Sequence, residues 1–440
     1  MAESETSRRT DRLLGGRAAL TLLVLGWAVL LAFFLRHAIV LSSDSVNNHV
    51  HVWHIADDLW HHGHLPWRFA QLRPGRAYAY PYGFVNWTAA ALTWPLFGDW
   101  GGTLSTVLGT VGCIVATFVA FPELRRGWWA AAVLANPAIV EALLFGQQSF
   151  AWGSMLMLFG IAAWRRGSRG WAALLLGTGC ATHPYIVAPL ALVVLLLYLP
   201  FTRDRRAAIT CYVVACVIAL PAFAIVFISP SASDSRPSTQ VVNFLATLGP
   251  RVFIAVLPLF YVLLRRLAWT WLAPMALAVP LALLIGLSFP LNVWAQWRVL
   301  AWDGVDTASL DAYLRSPSFV RGATYRVLRG SDGKLGLYHV VRAGGRLDSE
   351  MFPETMAIRN FRDVPEYEKL LCDRHVDQIL HFESYDASRH TNERETIARL
   401  AAEPGDRVRI HLLAAGDGFE AYAIDRHRCT AVPAGPSTPS

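Results

Sequence analysis

The sequence predicts a mainly α-helical fold: a polytopic transmembrane bundle of about 9–10 apolar segments over residues 18–302, then a soluble extracytoplasmic α/β or α+β domain over 303–430. Three observations predict it. Hydrophobic residues make up 54% of the chain and charged residues 16%, against roughly 45–50% and about 25% in ordinary soluble domains. Apolar runs recur at lengths close to the ~20 residues that cross a ~30 Å hydrocarbon core. Charge is sparse from Ala18 to Val299 and dense from Arg298 onward, so two physical regimes share one chain.

Residues 1–17 carry no cleavage site beyond the following apolar stretch, which makes them a cytoplasmic tail and not a signal peptide. Apolar runs follow near 18–41, 83–99, 102–121, 128–145, 148–164, 171–184, 185–200, 207–229, 241–264 and 267–289. Basic clusters punctuate them: Arg8, Arg9, Arg12 and Arg17, then Arg125–Arg126, Arg165–Arg166 with Arg169, Arg203 with Arg205–Arg206, and Arg265–Arg266. The positive-inside rule puts every cluster in the cytoplasm, and the soluble domain outside. The same placement accounts for the net charge of +7 without nucleic acid, which is excluded as a partner. Two runs lie between the outside loop at 42–82 and the cluster at Arg125, where an odd number of crossings is needed. Either the 83–99 run, with Pro95 inside it and Gly98 after it, is re-entrant or interfacial, or the Arg125 cluster departs from the rule.

Within the outside loop, Val52, Ile55, Ala56 and Leu59 recur at helical spacing, and His51, His54, Asp58 and His61 or His62 form a polar stripe. The pattern predicts a helix lying on the membrane surface, with Trp53, Trp60 and Trp67 in the headgroup zone. The histidines have spacings that converge on a helix, but no HExxH or paired-cysteine pattern accompanies them, and no divalent metal is expected. Cys113, Cys180, Cys211 and Cys216 sit in apolar runs as small hydrophobes. Cys372 and Cys429 fall in the soluble domain, where a disulfide and two free thiols both remain open.

This loop resembles the GT-C superfamily of membrane glycosyltransferases that use polyprenyl-phosphate sugars. An acidic residue just after the first span, here Asp44, leads through Gly63 and Pro66 to Tyr80–Pro81–Tyr82, with Tyr82 standing where the family has a second proline. Residues 136–197 are similar to polyprenol-phosphate-mannose-dependent mannosyltransferases: Gly146–Gln147 after one span, the basic Arg165–Arg169 turn, then an apolar segment in which His183 replaces the family's lysine. Together the likeness covers roughly residues 20–200, and the segment YEKLLCDRHVDQILHF resembles a helix and strand of extracytoplasmic domains linked to polysaccharide assembly.

The resemblance implies transfer of a sugar of the mannose or arabinose class from a polyprenyl-phosphate donor to an envelope glycan or lipid, with membrane lipid as surroundings and no cofactor required. Such transfer needs a base for the acceptor hydroxyl and positive charge or donors near the leaving phosphate. Asp44 is the expected base, with Asp57 and Asp58 next; solvated loop carboxylates are the alternative for all three. Arg73, Arg76 and Arg298 are available to the phosphate or to anionic headgroups, and Tyr82, Gln147, Gln148 and His183 to the substrate or to helix–helix hydrogen bonds. The soluble domain has turn signals, strand-like runs LGLYHVV, VDQILHF and VRIHLLA, and helical stretches at 307–315, 364–373 and 391–402. It contains no phosphate loop or nucleophile elbow, and the tail 431–440 has a disordered composition. A non-catalytic scaffold for envelope polysaccharide assembly is the alternative function.

Overall fold

The computed structural model describes residues 2–40, 45–66, 84–202, 204–228, 251–266, 272, 274–288, 308–328, 331–348, 361–382, 392–403, 405–416 and 418–429. Two compact units divide the chain: Met1–Leu65, Tyr80–Ser231 and Ser235–Ala301 form one, and Pro66–Ala79, Ala232–Asp234 and Trp302–Ser440 the other.

Helices make up the described part of the first unit. In chain order these are α1 (Ala2–Phe34), α2 (Ser45–Asp57), α3 (Phe84–Leu92), α4 (Trp94–Phe97), α5 (Trp100–Ala120), α6 (Gly127–Leu134) and α7 (Pro137–Leu144). They continue as α8 (Gln148–Arg165), α9 (Arg169–Thr182), α10 (Val187–Tyr198), α11 (Arg205–Ile228), α12 (Phe253–Arg266) and α13 (Met275–Ser288). Among the described residues, four stretches are long and apolar enough to cross a membrane: Gly15–Phe34, Trp100–Ala120, Gly127–Leu144 and Arg205–Ala224. In α1 and α11 the apolar character extends to the outward face, where Leu22, Leu25, Val217 and Leu220 are exposed. A helix apolar on all sides belongs in a protein core or in lipid.

The 83–99 run does not form one helix. It breaks at Thr93, whose hydroxyl donates to the Ala90 carbonyl, and Pro95 opens the short α4. The nine residues of α3 rise about 14 Å, half the ~30 Å needed to span. The 128–145 run also breaks, at Asn136–Pro137, where the Asn136 side chain accepts from the Ala138 N–H at 3.0 Å and caps α7.

Small residues let α8 and α9 approach closely. A Cβ on Gly179 would stand 2.7 Å from the Gly153 carbonyl oxygen, and one on Gly153 would stand 2.9 Å from the Gly179 carbonyl oxygen. The main core of the unit lies around these helices, with Phe150, Met157, Leu158, Cys180, Val187 and Leu190 buried together.

One expectation is corrected here. The predicted stripe divides: His51 and His54, with His49 beside them, are as buried as Val52 and Ile55, whereas His61 and His62 at its far end are exposed. His51 stacks on Trp87 of α3, with ring centroids 4.0 Å apart. His49 reaches the Ala38 carbonyl at 3.0 Å and occupies the space left by Gly102 of α5. An amphipathic pattern reports two chemically different faces, and here the polar face is matched by protein groups.

The second unit carries a five-stranded sheet in the order β2-β1-β3-β5-β4. Its described elements are α14 (Ala308–Arg315), β1 (Thr324–Val327), α15 (Ser331–Arg342), β2 (Arg346–Leu347), α16 (Val364–Asp373), β3 (Gln378–Phe382), α17 (Glu393–Ala402), β4 (Arg409–Gly416) and β5 (Phe419–Asp425). Strand β1 runs parallel to β2 and β3, whereas β5 is antiparallel to β3 and β4. The run LGLYHVV is helical, inside α15, and not a strand. Its buried residues Leu337, Tyr338, Val340 and Val341 follow helical spacing, and packing overrides the β-branched and aromatic composition that suggested a strand.

Behind the sheet, Arg326 of β1 donates to Glu393 through Nε at 2.5 Å and to Asp348 through Nη1 at 2.7 Å, all three being buried. Cys372, at the end of α16, is disulfide-bonded to Cys429.

Candidate functional site

The polar residues buried in the first unit concentrate where α2 meets the turn between α7 and α8. Gly146 holds φ at +67°, a left-handed conformation that favours glycine, and its carbonyl accepts from Asn48 Nδ2 at 2.6 Å. The Asn48 amide is fixed from its other side, because Oδ1 accepts from Trp87 Nε1 at 2.9 Å. The first turn of α2 is thereby tied to the Gly146–Gln147 turn and to α3.

Gln147 extends the junction. Its Oε1 accepts from Arg251 Nη2 at 2.5 Å, and the Arg251 guanidinium lies 5.1 Å from the Phe150 ring centroid. Arg251 precedes α12 by two residues and is only 6% exposed. Glu141 of α7, also 6% exposed, and His183, which follows α9, both lie within its electrostatic reach. Gln148 opens α8 and is buried. The arrangement therefore gathers a cation, a carboxyl group, an imidazole and amides beside the apolar core around Phe150. Ionisable groups at such depth ordinarily face a cavity, a ligand or one another.

Beyond the junction, an apolar cavity of about 80 Å³ lies among α8, α10 and α12, lined by Met157, Ile161, Val194, Tyr198, Ile254 and Pro258 among others. Ile254 stands one helical turn past Arg251, so α12 links the two features.

The far end of α2 carries a second polar group. A single π-helical turn, Asp58–His62, follows the helix and stops at Gly63, with φ +76°. Asp57 lies 2.9 Å from His61 Nδ1, and Asp58 lies 3.4 Å from His62 Nδ1 and 3.8 Å from His54 Nε2. His51 does not join them. Its Nδ1 lies 2.7 Å from the Asn47 carbonyl, and burial, together with the neighbouring His54, lowers its pKa to about 4 despite that backbone hydrogen bond.

Comparison of the chain with protein-family models, curated proteins and solved structures finds no match in any of the three. The site is accordingly read from its own geometry.

Of the residues singled out by sequence, the structure places Gln147 and His183 around Arg251 and puts Gln148 beside them in the chain. Asp57 and Asp58 belong to the other end of α2. Asp44, Arg73, Arg76, Tyr82, Arg298 and the tail 431–440 lie outside the described residues. Sequence reasoning passed over Asn48, Glu141 and Arg251. The signal for the last two was present, since each is a lone charge within an apolar run. Asn48 carried no such mark, being one polar residue in a polar segment.

Proposed function

We propose that this chain is an integral membrane glycosyltransferase that moves a sugar of the mannose or arabinose class from a polyprenyl phosphate to an envelope glycan or lipid. In this reading the first unit is a GT-C-like transmembrane bundle with a cytoplasmic N-terminus. The second unit lies on the extracytoplasmic side, where the Cys372–Cys429 disulfide has a suitable redox environment. Four apolar stretches of membrane-crossing length support the membrane assignment.

The observation that carries the reading is the Asn48–Gly146 hydrogen bond. The two stretches that resemble the transferases, one starting at Asp44 and the other containing Gly146–Gln147, are about a hundred residues apart in sequence and meet at this bond. Asp44 directly precedes Ser45, the first residue of the helix so anchored.

The chemistry follows from those positions. Asp44 takes the proton of the acceptor hydroxyl, the acceptor oxygen bonds to the anomeric carbon of the sugar, and the bond from that carbon to the phosphate oxygen breaks. Polyprenyl phosphate departs with the electron pair. Arg251, oriented by Gln147, supplies positive charge to the departing phosphate, and His183 adds a polar contact. Arg73, Arg76 and Arg298, as cations available to a phosphate, and Tyr82, from the resemblance, are assigned to donor and acceptor binding.

The test is donor choice by the purified full-length protein in lipid, offered labelled polyprenyl-phosphate mannose, polyprenyl-phosphate arabinose and nucleotide sugars, with envelope lipids as acceptors. Transfer from a polyprenyl phosphate, and none from nucleotide sugars, is expected. A folded preparation that transfers from no donor overturns the enzyme reading and favours the scaffold.

A further inference from the structure

The π-helical turn after α2 brings together groups that the proposed transfer does not use. Asp57 and Asp58 are adjacent in sequence, and on a regular helix neighbouring side chains diverge by about 100°. Here one carboxylate oxygen from each and a ring nitrogen of His62 all lie within 4.8 Å of one another. Asp58 is half-buried, at 19% side-chain exposure against 35% for Asp57 and 58% for His62, so solvent screens its carboxylate only in part. Two carboxylates this close repel, and a divalent cation among the three atoms relieves that repulsion.

We propose that Asp57, Asp58 and His62 form a binding site for a divalent transition-metal ion, with zinc as the best chemical match. Two carboxylate oxygens and an imidazole nitrogen make a mixed N/O set, which suits zinc better than magnesium or calcium, whose ligands are oxygens. Tetrahedral zinc with ligands at ~2.0–2.1 Å needs ligand atoms about 3.3–3.5 Å apart, and small side-chain rotations bring atoms now within 4.8 Å to that spacing. Three protein ligands leave a fourth position for water or for a group presented to the site. His61, 2.9 Å from Asp57, and His54, behind Asp58, stand where outer partners orient ligating carboxylates. The sequence offered no metal signature because the convergence depends on the π turn, which changes the angular register of the residues on either side of it.

The site goes beyond the transfer reading and is separable from it. Ten residues of helix separate Asn48 from Asp58, about 15 Å along the axis. A bound ion would fix the end of α2 opposite the Gly146 junction.

Equilibrium dialysis of the full-length protein, purified without a polyhistidine tag and stripped with chelator, measures zinc per chain by elemental mass spectrometry. The wild type is expected to bind one zinc ion in the presence of excess magnesium. Asp58→Asn and His62→Gln should each lower zinc affinity by at least about tenfold, with helicity unchanged by circular dichroism. His427→Gln, at an exposed site in the other unit, should bind as the wild type does. Absence of zinc from the folded wild type overturns the proposal, as does a His62→Gln protein that binds zinc like the wild type.

Discussion

Asn48 and Gly146, 98 residues apart, are joined by a 2.6 Å hydrogen bond from the Asn48 amide to the Gly146 carbonyl. The same amide accepts from Trp87, so one side chain satisfies two buried groups on different elements. Replacing Asn48 by Ala removes the acceptor of the Trp87 N–H, at about 1–3 kcal/mol, whereas the Gly146 carbonyl keeps the Gln148 N–H at 2.8 Å. Asn48→Ala should therefore lower the melting temperature in detergent and depress sugar transfer. Asn48→Asp, which keeps the acceptor and loses the donor, should be intermediate in stability.

The close approach of α8 and α9 depends on two glycines facing each other's backbone. A Cβ at Gly179 meets the Gly153 carbonyl at 2.7 Å, and a backbone atom cannot swing away as a side chain can. Gly179→Ala should destabilise by about 1–3 kcal/mol. Gly170→Ala, on the same helix with nothing within 4 Å of the added carbon, should stabilise by about 0.4–1 kcal/mol. Melting of the two variants side by side separates steric overlap from helix propensity.

Acid should loosen the packing of α2. Burial lowers the His51 pKa from its ordinary 6.5 to about 4, so the folded chain keeps this ring neutral where the unfolded chain protonates it. Stability from this group is full above pH 6.5 and is lost as pH falls toward 4, by about 3 kcal/mol over that window. His51→Gln should be less stable at pH 7, having lost the stack on Trp87, and should lose less stability between pH 6.5 and 4 than the wild type. Thermal melting across that range reads both effects.

What could be read in the sequence divides along physical lines. Run length and low charge marked the apolar helices, because lipid demands long apolar segments and few sequences meet that demand by accident. Pro95 and the glycines after it marked the break in the 83–99 run. The burial of His51 and His54 was not legible, since a polar stripe reads the same whether water, headgroups or buried protein partners receive it, and only its far end at His61 and His62 is exposed. LGLYHVV was misjudged because strand-like composition says nothing of the Phe382 ring that packs within 2.7 Å of a Cβ built on Gly336. Gln147 and His183 stood out as polar groups in apolar surroundings. Their neighbour Arg251 needed the same attention, and only tertiary structure pairs it with Gln147.

Arg326 offers a test in the second unit. It is the common partner of Asp348 and Glu393, and all three are buried. Arg326→Met alone removes the cation that neutralises buried Glu393, while Asp348 keeps Arg374 at 3.1 Å, and should destabilise by about 3–5 kcal/mol. Adding Asp348→Leu and Glu393→Leu should recover most of that loss, because buried ion clusters replaced as a whole by apolar groups are often close to neutral. Protease resistance of the C-terminal unit in the full chain is the readout.

The account places the departing phosphate beside Arg251, so the most direct measurement is sugar transfer by Arg251→Gln against the wild type, from the same labelled polyprenyl-phosphate donor in the same lipid. Loss of an Arg contact that strengthens as charge develops predicts a fall in turnover on the order of a hundredfold or more, with the helical fold retained. Wild-type turnover in a folded Arg251→Gln protein would contradict the assignment of this junction as the transfer site.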